Sequence, residues 1–319
     1  MTTFEHLLAP HLPALEVHLL ALASCQPPAS QLAPVDGSAV LAEMTRQPLA
    51  TGGKRLRGAL PMAMVAAEQG PLAAALELGA CLELIHNGTL VHDDLQDGDR
   101  LRRGQPTLWT VVGVAQAVNA GDAMLVAPLA RLARSQALPA ELRAPLTALV
   151  ADALLETLAG QVADLAVHGR AATLAELRAV HMGKTAPLFG ACVAGAALLL
   201  GRSIDASGLA ADLGLAFQIR DDLLDVLGRK GRGLPGADLR EGKPTWPLLR
   251  AGLELPTACD DQAVAAIVAD LHDRGAVAAT EADLAELLAK VRSAAVDLLP
   301  PGAAAVVCAL ADRLAEIDG

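Results

Sequence analysis

Two stretches of this chain set three aspartates at one and the same spacing. Asp93, Asp94 and Asp97 close the run Leu84-Ile85-His86-Asn87-Gly88-Thr89-Leu90-Val91-His92-Asp93-Asp94-Leu95-Gln96-Asp97. Asp221, Asp222 and Asp225 close Phe217-Gln218-Ile219-Arg220-Asp221-Asp222-Leu223-Leu224-Asp225. Both read Asp-Asp-x-x-Asp at the end of apolar sequence with helical spacing. Residues four apart on a helix share a face, so Asp93 pairs with Asp97 and Asp221 with Asp225. Core packing has no use for three carboxylates at the buried end of a helix, and unpartnered burial is costly, so they call for cations. Two such clusters facing one another would cage several divalent ions. Mg²⁺ suits them, because it combines carboxylates with substrate phosphate oxygens and waters.

Basic residues stand near both clusters. In Thr51-Gly52-Gly53-Lys54-Arg55-Leu56-Arg57-Gly58 the glycines let backbone approach a ligand closely, and Lys54 and Arg57 at a helix start would aim at one anion. A solvated basic turn has the same composition. His86 lies two turns before Asp93 on the stripe His86, Leu90, Asp93, Asp97; a histidine alone there would read as an ordinary core residue. Arg100, Arg102 and Arg103 beside the first acids make either a surface salt-bridge patch or bidentate phosphate clamps. Lys184 is a lone cation at the mouth of the apolar stretch Ala186–Gly201, where a helix-end charge in solvent is the plainer role. Lys243 closes the Gly- and charge-rich stretch Arg229–Gly242, which follows the second acids where a mobile lid would sit.

The elements that must position these groups are helices. The chain has 319 residues, 53% of them hydrophobic, with only 2% aromatic residues and no Tyr. Its apolar mass is Ala and Leu, which favours helix over strand. Helical periodicity runs through Phe4–Leu22 (interrupted by Pro10 and Pro13), from Ser38, from Pro71 through the first aspartates, Val111–Ala133 (broken near Pro128), Leu142–Val167, Thr173–His181 and Ser207–Gly228, with three more amphipathic patterns in 260–318. Thr173 and Glu176 form a capping box, and Gln26–Gly37 is a connector. No strand alternation, Rossmann fingerprint, Walker loop, repeat or linker divides the chain, so it reads as one all-α domain spanning 1–319. A net charge of −11 argues against nucleic acid. Scattered Cys25, Cys81, Cys192, Cys259 and Cys308 read as buried thiols of a reducing, cytoplasmic protein. Met1–Leu20 lacks a basic n-region, and Ala186–Gly201 falls short of the roughly 20 residues a membrane span needs.

The ordered set Gly53–Arg57, Asp93–Gly104, Lys184-Thr185, Phe217–Asp225 and Gly242–Thr245 closely resembles the trans-polyprenyl diphosphate synthases, over about residues 38–250. The resemblance implies the isoprenoid synthase fold, an all-α bundle around a central apolar cavity, usually homodimeric. It implies an Mg²⁺-dependent trans-prenyltransferase that joins isopentenyl diphosphate to an allylic diphosphate by ionisation, condensation and elimination. By it, Asp93 and Asp97 bind two Mg²⁺ and Asp221 a third, with Asp94, Asp222 and Asp225 supporting. Arg102, Lys184, Gln218 and Lys243 contact the allylic diphosphate, with Thr185 and Gln218 near the cation. Lys54, Arg57, His86 and Arg103 form the isopentenyl diphosphate pocket. The released diphosphate serves as base, in keeping with the lack of a side-chain acid/base pair.

The chain departs from that pattern at Gly58, where the family has Pro, at Arg229 in place of an acid, at Trp246 in place of Leu, and in the short loop where Gly231-Arg232 is the nearest match to a family Gly-Lys. Gly88 and Thr89 precede Asp93 by five and four residues, roughly 6 to 7.5 Å below the metal at a helical rise of about 1.5 Å per residue. Aromatic side chains there limit product length in the family. These residues are small, as is Ala123, so the expectation is a deep pocket and a C20 or longer product, with geranylgeranyl diphosphate first. A class I terpene cyclase or other-acceptor prenyltransferase would keep the first motif but not need Lys54, Arg57, His86 and Arg103 together. A non-catalytic partner subunit would tend to lose aspartates that this chain retains.

Overall fold

The structure, a computed structural model, describes residues 3–24, 37–229, 235–254 and 260–317. Gly231-Arg232, most of the connector Gln26–Gly37, Cys25 and Cys259 lie outside the described residues. The helices are α1 (Phe4–Leu8), α2 (Leu12–Leu22), α3 (Gly37–Ala50), α4 (Leu56–Ala67), α5 (Leu72–Asp97), α6 (Leu108–Val112), α7 (Val114–Arg134), α8 (Ala140–Val167), α9 (Leu174–Leu199), α10 (Ser207–Val226), α11 (Ala237–Arg240), α12 (Trp246–Arg250), α13 (Asp261–Asp273), α14 (Ala276–Leu298) and α15 (Pro301–Ala315). Between α5 and α6, strands β1 (Leu101–Arg102) and β2 (Gln105–Pro106) pair antiparallel, a hairpin where the sequence reads only as loop. Pro128 does not break α7, whose helix continues through it. The chain falls into two compact units, residues 5–152 with 191–204, and residues 153–190 with 205 onward.

In the first unit, α5 packs against α2, α4 and α7. The interruption expected at Pro10 and Pro13 is a single 3-10 turn, Ala9–His11, after which α2 buries Leu15 and Leu19 completely. Leu19, Leu84, Val91, Leu108, Ala120 and Met124 meet in one core cluster. The departure at Gly58 has a local cause. Its N–H donates to the buried Glu83 carboxylate at 3.0 Å, which proline could not do. A Cβ on Gly79 would stand 2.2 Å from the Gly58 carbonyl, so α4 and α5 approach backbone to backbone there.

In the second unit, α10 packs on α14, and α14 on α15. Thr173 and Glu176 cap α9 reciprocally: the Thr173 N–H donates to Glu176 at 2.8 Å and the Glu176 N–H to the Thr173 hydroxyl at 3.2 Å. Leu239, Leu248 and Val264 form a small core under the stretch after the second aspartates. The stretch Ala186–Gly201 lies mostly within α9, which by length and composition could cross a membrane, as could α8. The most apolar window of α9 is 61% buried within the protein, the behaviour of a core helix.

Glu77 of α5 is 1% exposed, yet it is charged. It accepts from His18 of α2 at 2.6 Å and from Arg131 of α7, so one carboxylate ties three helices. Burial raises its pKa, but hydrogen bonds from His18, Arg131 and Ser135 and the Arg131 charge outweigh burial and hold it at about 2. A carboxylate so depressed stabilises the fold above its unfolded pKa, near pH 4.5, and that contribution is lost as pH falls toward 2. Glu77→Gln is expected to cost about 3 kcal/mol at pH 7. Melts followed by circular dichroism will show the gap to the native protein narrowing below pH 4.5; a gap constant down to pH 2 would refute this account.

Candidate active site

The first aspartates sit in the last turns of α5, in the first unit. Gly98 ends the helix in a left-handed conformation (φ 74°), and the Asp99 N–H folds back to the Asp94 carbonyl at 2.8 Å. The hairpin that follows turns at Arg103 and Gly104, both at positive φ (53° and 75°), which suits a tight two-residue turn. It is fastened by the Thr107 hydroxyl and the Trp109 indole, each donating to the Asp99 carbonyl at 2.7 Å. Arg100 stacks over the Trp109 ring. This fold-back delivers two arginines. Arg102 Nε donates to Asp94 Oδ1 at 2.6 Å, and its Nη2 lies 3.7 Å from Asp93. Arg103 donates to the Gly52 carbonyl, so the hairpin meets the Gly-Gly-Lys loop.

Arg57, in the first turn of α4, is buried and bonds His86 Nε2 at 3.1 Å. Guanidinium only donates, so this histidine nitrogen accepts. Burial and the charges of Arg57, Arg102, Arg103 and Arg55 push His86 well below its ordinary pKa, so it is a neutral acceptor. Lys54 is exposed beside them. The sequence reading passed over Arg55, which is 3% exposed at φ 47° and holds Glu16 at 2.7 Å and the Leu49 carbonyl at 2.6 Å. Burial pushes Asp94 up to about 6 against the pull of Arg102, with Asp93 and Asp99 adding to the rise.

In the second unit, Gln218 of α10 donates to the Thr185 hydroxyl of α9 at 2.6 Å. Lys184 Nζ donates to Asp164 of α8 at 2.8 Å. Burial opposes ionisation of Asp164, but His168 and Lys184 hold it far below the usual carboxylate range. Asp164 was also missed; the available signal was an acid inside an apolar helix four residues before His168. Asp221 is half-buried. Asp222 and Asp225 are buried and turn to the stretch after the loop. Asp222 Oδ2 accepts from the Trp246 N–H at 2.7 Å and lies 3.2 Å from His181 Nε2. Asp225 accepts from the N–H groups of Ala237 and Asp238 at 3.2 and 3.1 Å. Lys243 pairs with Glu241 at 3.1 Å.

The donor set fits a hard cation. It consists of carboxylate oxygens at helix ends, those of Asp93, Asp94 and Asp97 in the last turns of α5 and that of Asp221 near the end of α10. Among the described residues no three such side chains are already gathered into a cage. An ion that takes one or two carboxylates and completes its shell with substrate oxygens and water suits that arrangement.

One expectation is corrected. Gly88 is not an open pocket floor: a Cβ there would stand 2.9 Å from Met124 Cβ and 3.0 Å from a Leu125 methyl on α7. Its smallness serves helix packing. Thr89 and Ala123 are half-buried, and the Thr89 hydroxyl donates to the His86 carbonyl at 2.8 Å. Gly88→Ala is expected to cost about 1–3 kcal/mol by overpacking, and Thr89→Ala less. Equal melting temperatures for the two variants would contradict this placement.

Residues 38–282 match the family described as Polyprenyl synthetase. The chain is 37% identical over 229 residues to the farnesyl diphosphate synthase of Geobacillus stearothermophilus, covering 67% of this chain and 76% of that one. It is 37% identical over 215 residues to the geranylgeranyl diphosphate synthase of Cyanophora paradoxa, covering 63% and 71%. Among solved structures it resembles the geranylgeranyl pyrophosphate synthetase of the archaeon Geoglobus acetivorans, with a TM-score of 0.84 at 26% identity over 97% of this chain and 99% of that one. The apolar helices, the paired aspartate motifs and the arginines folded back beside them thus belong to a member of the polyprenyl synthetase family, an all-α polyprenyl diphosphate synthase that lengthens prenyl chains by trans-prenyl transfer.

Proposed function

We propose that this protein condenses isopentenyl diphosphate with an allylic prenyl diphosphate, releasing diphosphate and a chain five carbons longer. The observation that carries the reading is the pair formed by buried Arg57 and half-buried, neutral His86 in the same unit as Arg102, Arg103 and the first aspartates. Cations for a diphosphate and carboxylates for its counter-ions then lie on neighbouring elements, α4, α5 and the hairpin. Lys54, Arg57 and Arg103 would bind the isopentenyl diphosphate head, with His86 accepting from Arg57 and orienting it. Arg102, Lys184 and Lys243 would bind the allylic diphosphate. Asp93, Asp97 and Asp221 would hold Mg²⁺, three ions in all, which when bound would neutralise the leaving diphosphate. The Thr185 hydroxyl, fixed by Gln218, is a neutral oxygen suited to lie near a developing allylic cation. No side-chain base is assigned to the final proton, which the released diphosphate can take.

The relatives are named for both farnesyl and geranylgeranyl products. We favour geranylgeranyl diphosphate or longer, because Thr89 and Ala123 leave no aromatic barrier near the first motif. We also favour a homodimer, since Val111 of α6 is exposed, as are Val114, Val118 and Val126 at helical spacing on α7. Purified protein should be incubated with Mg²⁺, isopentenyl diphosphate and, separately, dimethylallyl, geranyl or farnesyl diphosphate, and the product alcohols sized. A linear C20 product is expected. A C15 stop would overturn only the product length, whereas no elongation would overturn the reaction. Asp93→Asn and Asp221→Asn should each lower kcat/KM by about 100-fold or more, and Arg57→Ala should raise KM for isopentenyl diphosphate most.

A further inference from the structure

The two buried aspartates of the second motif both accept backbone N–H groups from the stretch after the loop. The stretch after the loop contains two very short helices, α11 with four residues and α12 with five. Helix starts leave N–H groups without partners, and a side chain at the N-cap normally accepts from them. Neither Gly236 before α11 nor Thr245 before α12 does so. The missing acceptors come from α10. Asp225 takes the N–H groups of Ala237 and Asp238, the first two of α11, while its own carbonyl takes the Gly236 N–H at 3.0 Å. Asp222 takes the Trp246 N–H, the first of α12. Trp246 is further pinned by its indole N–H on Asp283 at 2.9 Å and by stacking on His181. Each carboxylate also brings negative charge to the positive end of a helix.

Lys243 lies between these two caps. Its N–H donates to the Asp238 carbonyl at 2.9 Å, and the carbonyl of Gly242 before it accepts from the Gly169 N–H at 3.2 Å. We infer that Asp222 and Asp225 are positioning residues, remote N-caps that hold residues 236–246 and so fix Lys243. Within the second motif the metal role is left to Asp221. This rests on the proposed reaction only in that Lys243 is taken to bind the allylic diphosphate.

The test compares Asp221→Asn, Asp222→Asn and Asp225→Asn. Hydrogen exchange of the substrate-free proteins needs no activity. Loss of a charged cap should speed exchange in the peptide spanning 236–246 by roughly tenfold in the last two variants, with α14 unchanged. Asp221→Asn should leave that peptide at the native rate. Kinetically, Asp222→Asn and Asp225→Asn should raise KM for the allylic diphosphate without moving the Mg²⁺ concentration for half-maximal rate, which Asp221→Asn should raise. Asp225→Asn added to Lys243→Ala should raise KM no further than Lys243→Ala alone, because both act through one lysine. Native exchange in 236–246, exchange raised equally throughout α14, or a shift in Mg²⁺ dependence as large as that of Asp221→Asn would each overturn the inference. A native protein that makes no prenyl product would defeat the proposed reaction, and the exchange arm would still decide the capping role.

Discussion

A carboxylate at the buried end of an apolar helix must be compensated, and much of this structure follows from how that is done. Water cannot reach these groups freely, so positive charge or N–H donors must be brought to them. At the end of α5 the hairpin brings Arg102 to Asp94 and Asp93. At the end of α10 the returning stretch brings backbone N–H groups to Asp222 and Asp225. Compensation at each site consists of a chain reversal that folds later residues back onto the helix, and each reversal carries basic side chains assigned to substrate.

The cationic side of the site obeys the complementary constraint. Desolvation disfavours a protonated His86, and the arginines gathered around it repel one further, so the ring stays neutral and serves as acceptor for Arg57. Arg55 is ion-paired with Glu16 and donates to the Leu49 carbonyl. Lys184 is likewise steadied by Asp164. Basic residues adjacent in sequence thus have different tasks, decided by which partner each one meets.

Departures from the family pattern are intelligible where the structure supplies a partner. Gly58 replaces a proline, and in exchange its N–H satisfies buried Glu83, while Gly79 opposite admits its carbonyl at backbone distance. Trp246 stands where leucine is common and uses what leucine lacks, an indole N–H for Asp283 and a ring for His181. Gly88 shows the opposite lesson: a small residue can signal an open pocket or a close helix crossing, and spacing along one helix does not distinguish them.

Helix content, most helix positions, the capping box at Thr173, the two aspartate motifs and the family were all legible in the sequence, because they depend on periodicity and residue type within a few turns. The hairpin was not, since two-residue strands carry no alternation. Nor were the division of labour between Arg55 and Arg57, the part of Asp164, the crowding at Gly88, or the turning of Asp222 and Asp225 toward later backbone. Sequence by itself determined which groups could carry charge and which segments would be helical. Tertiary structure alone decided which partner each charge would meet, because a buried ion's energy depends on atoms within a few ångströms, and those come from elsewhere in the chain.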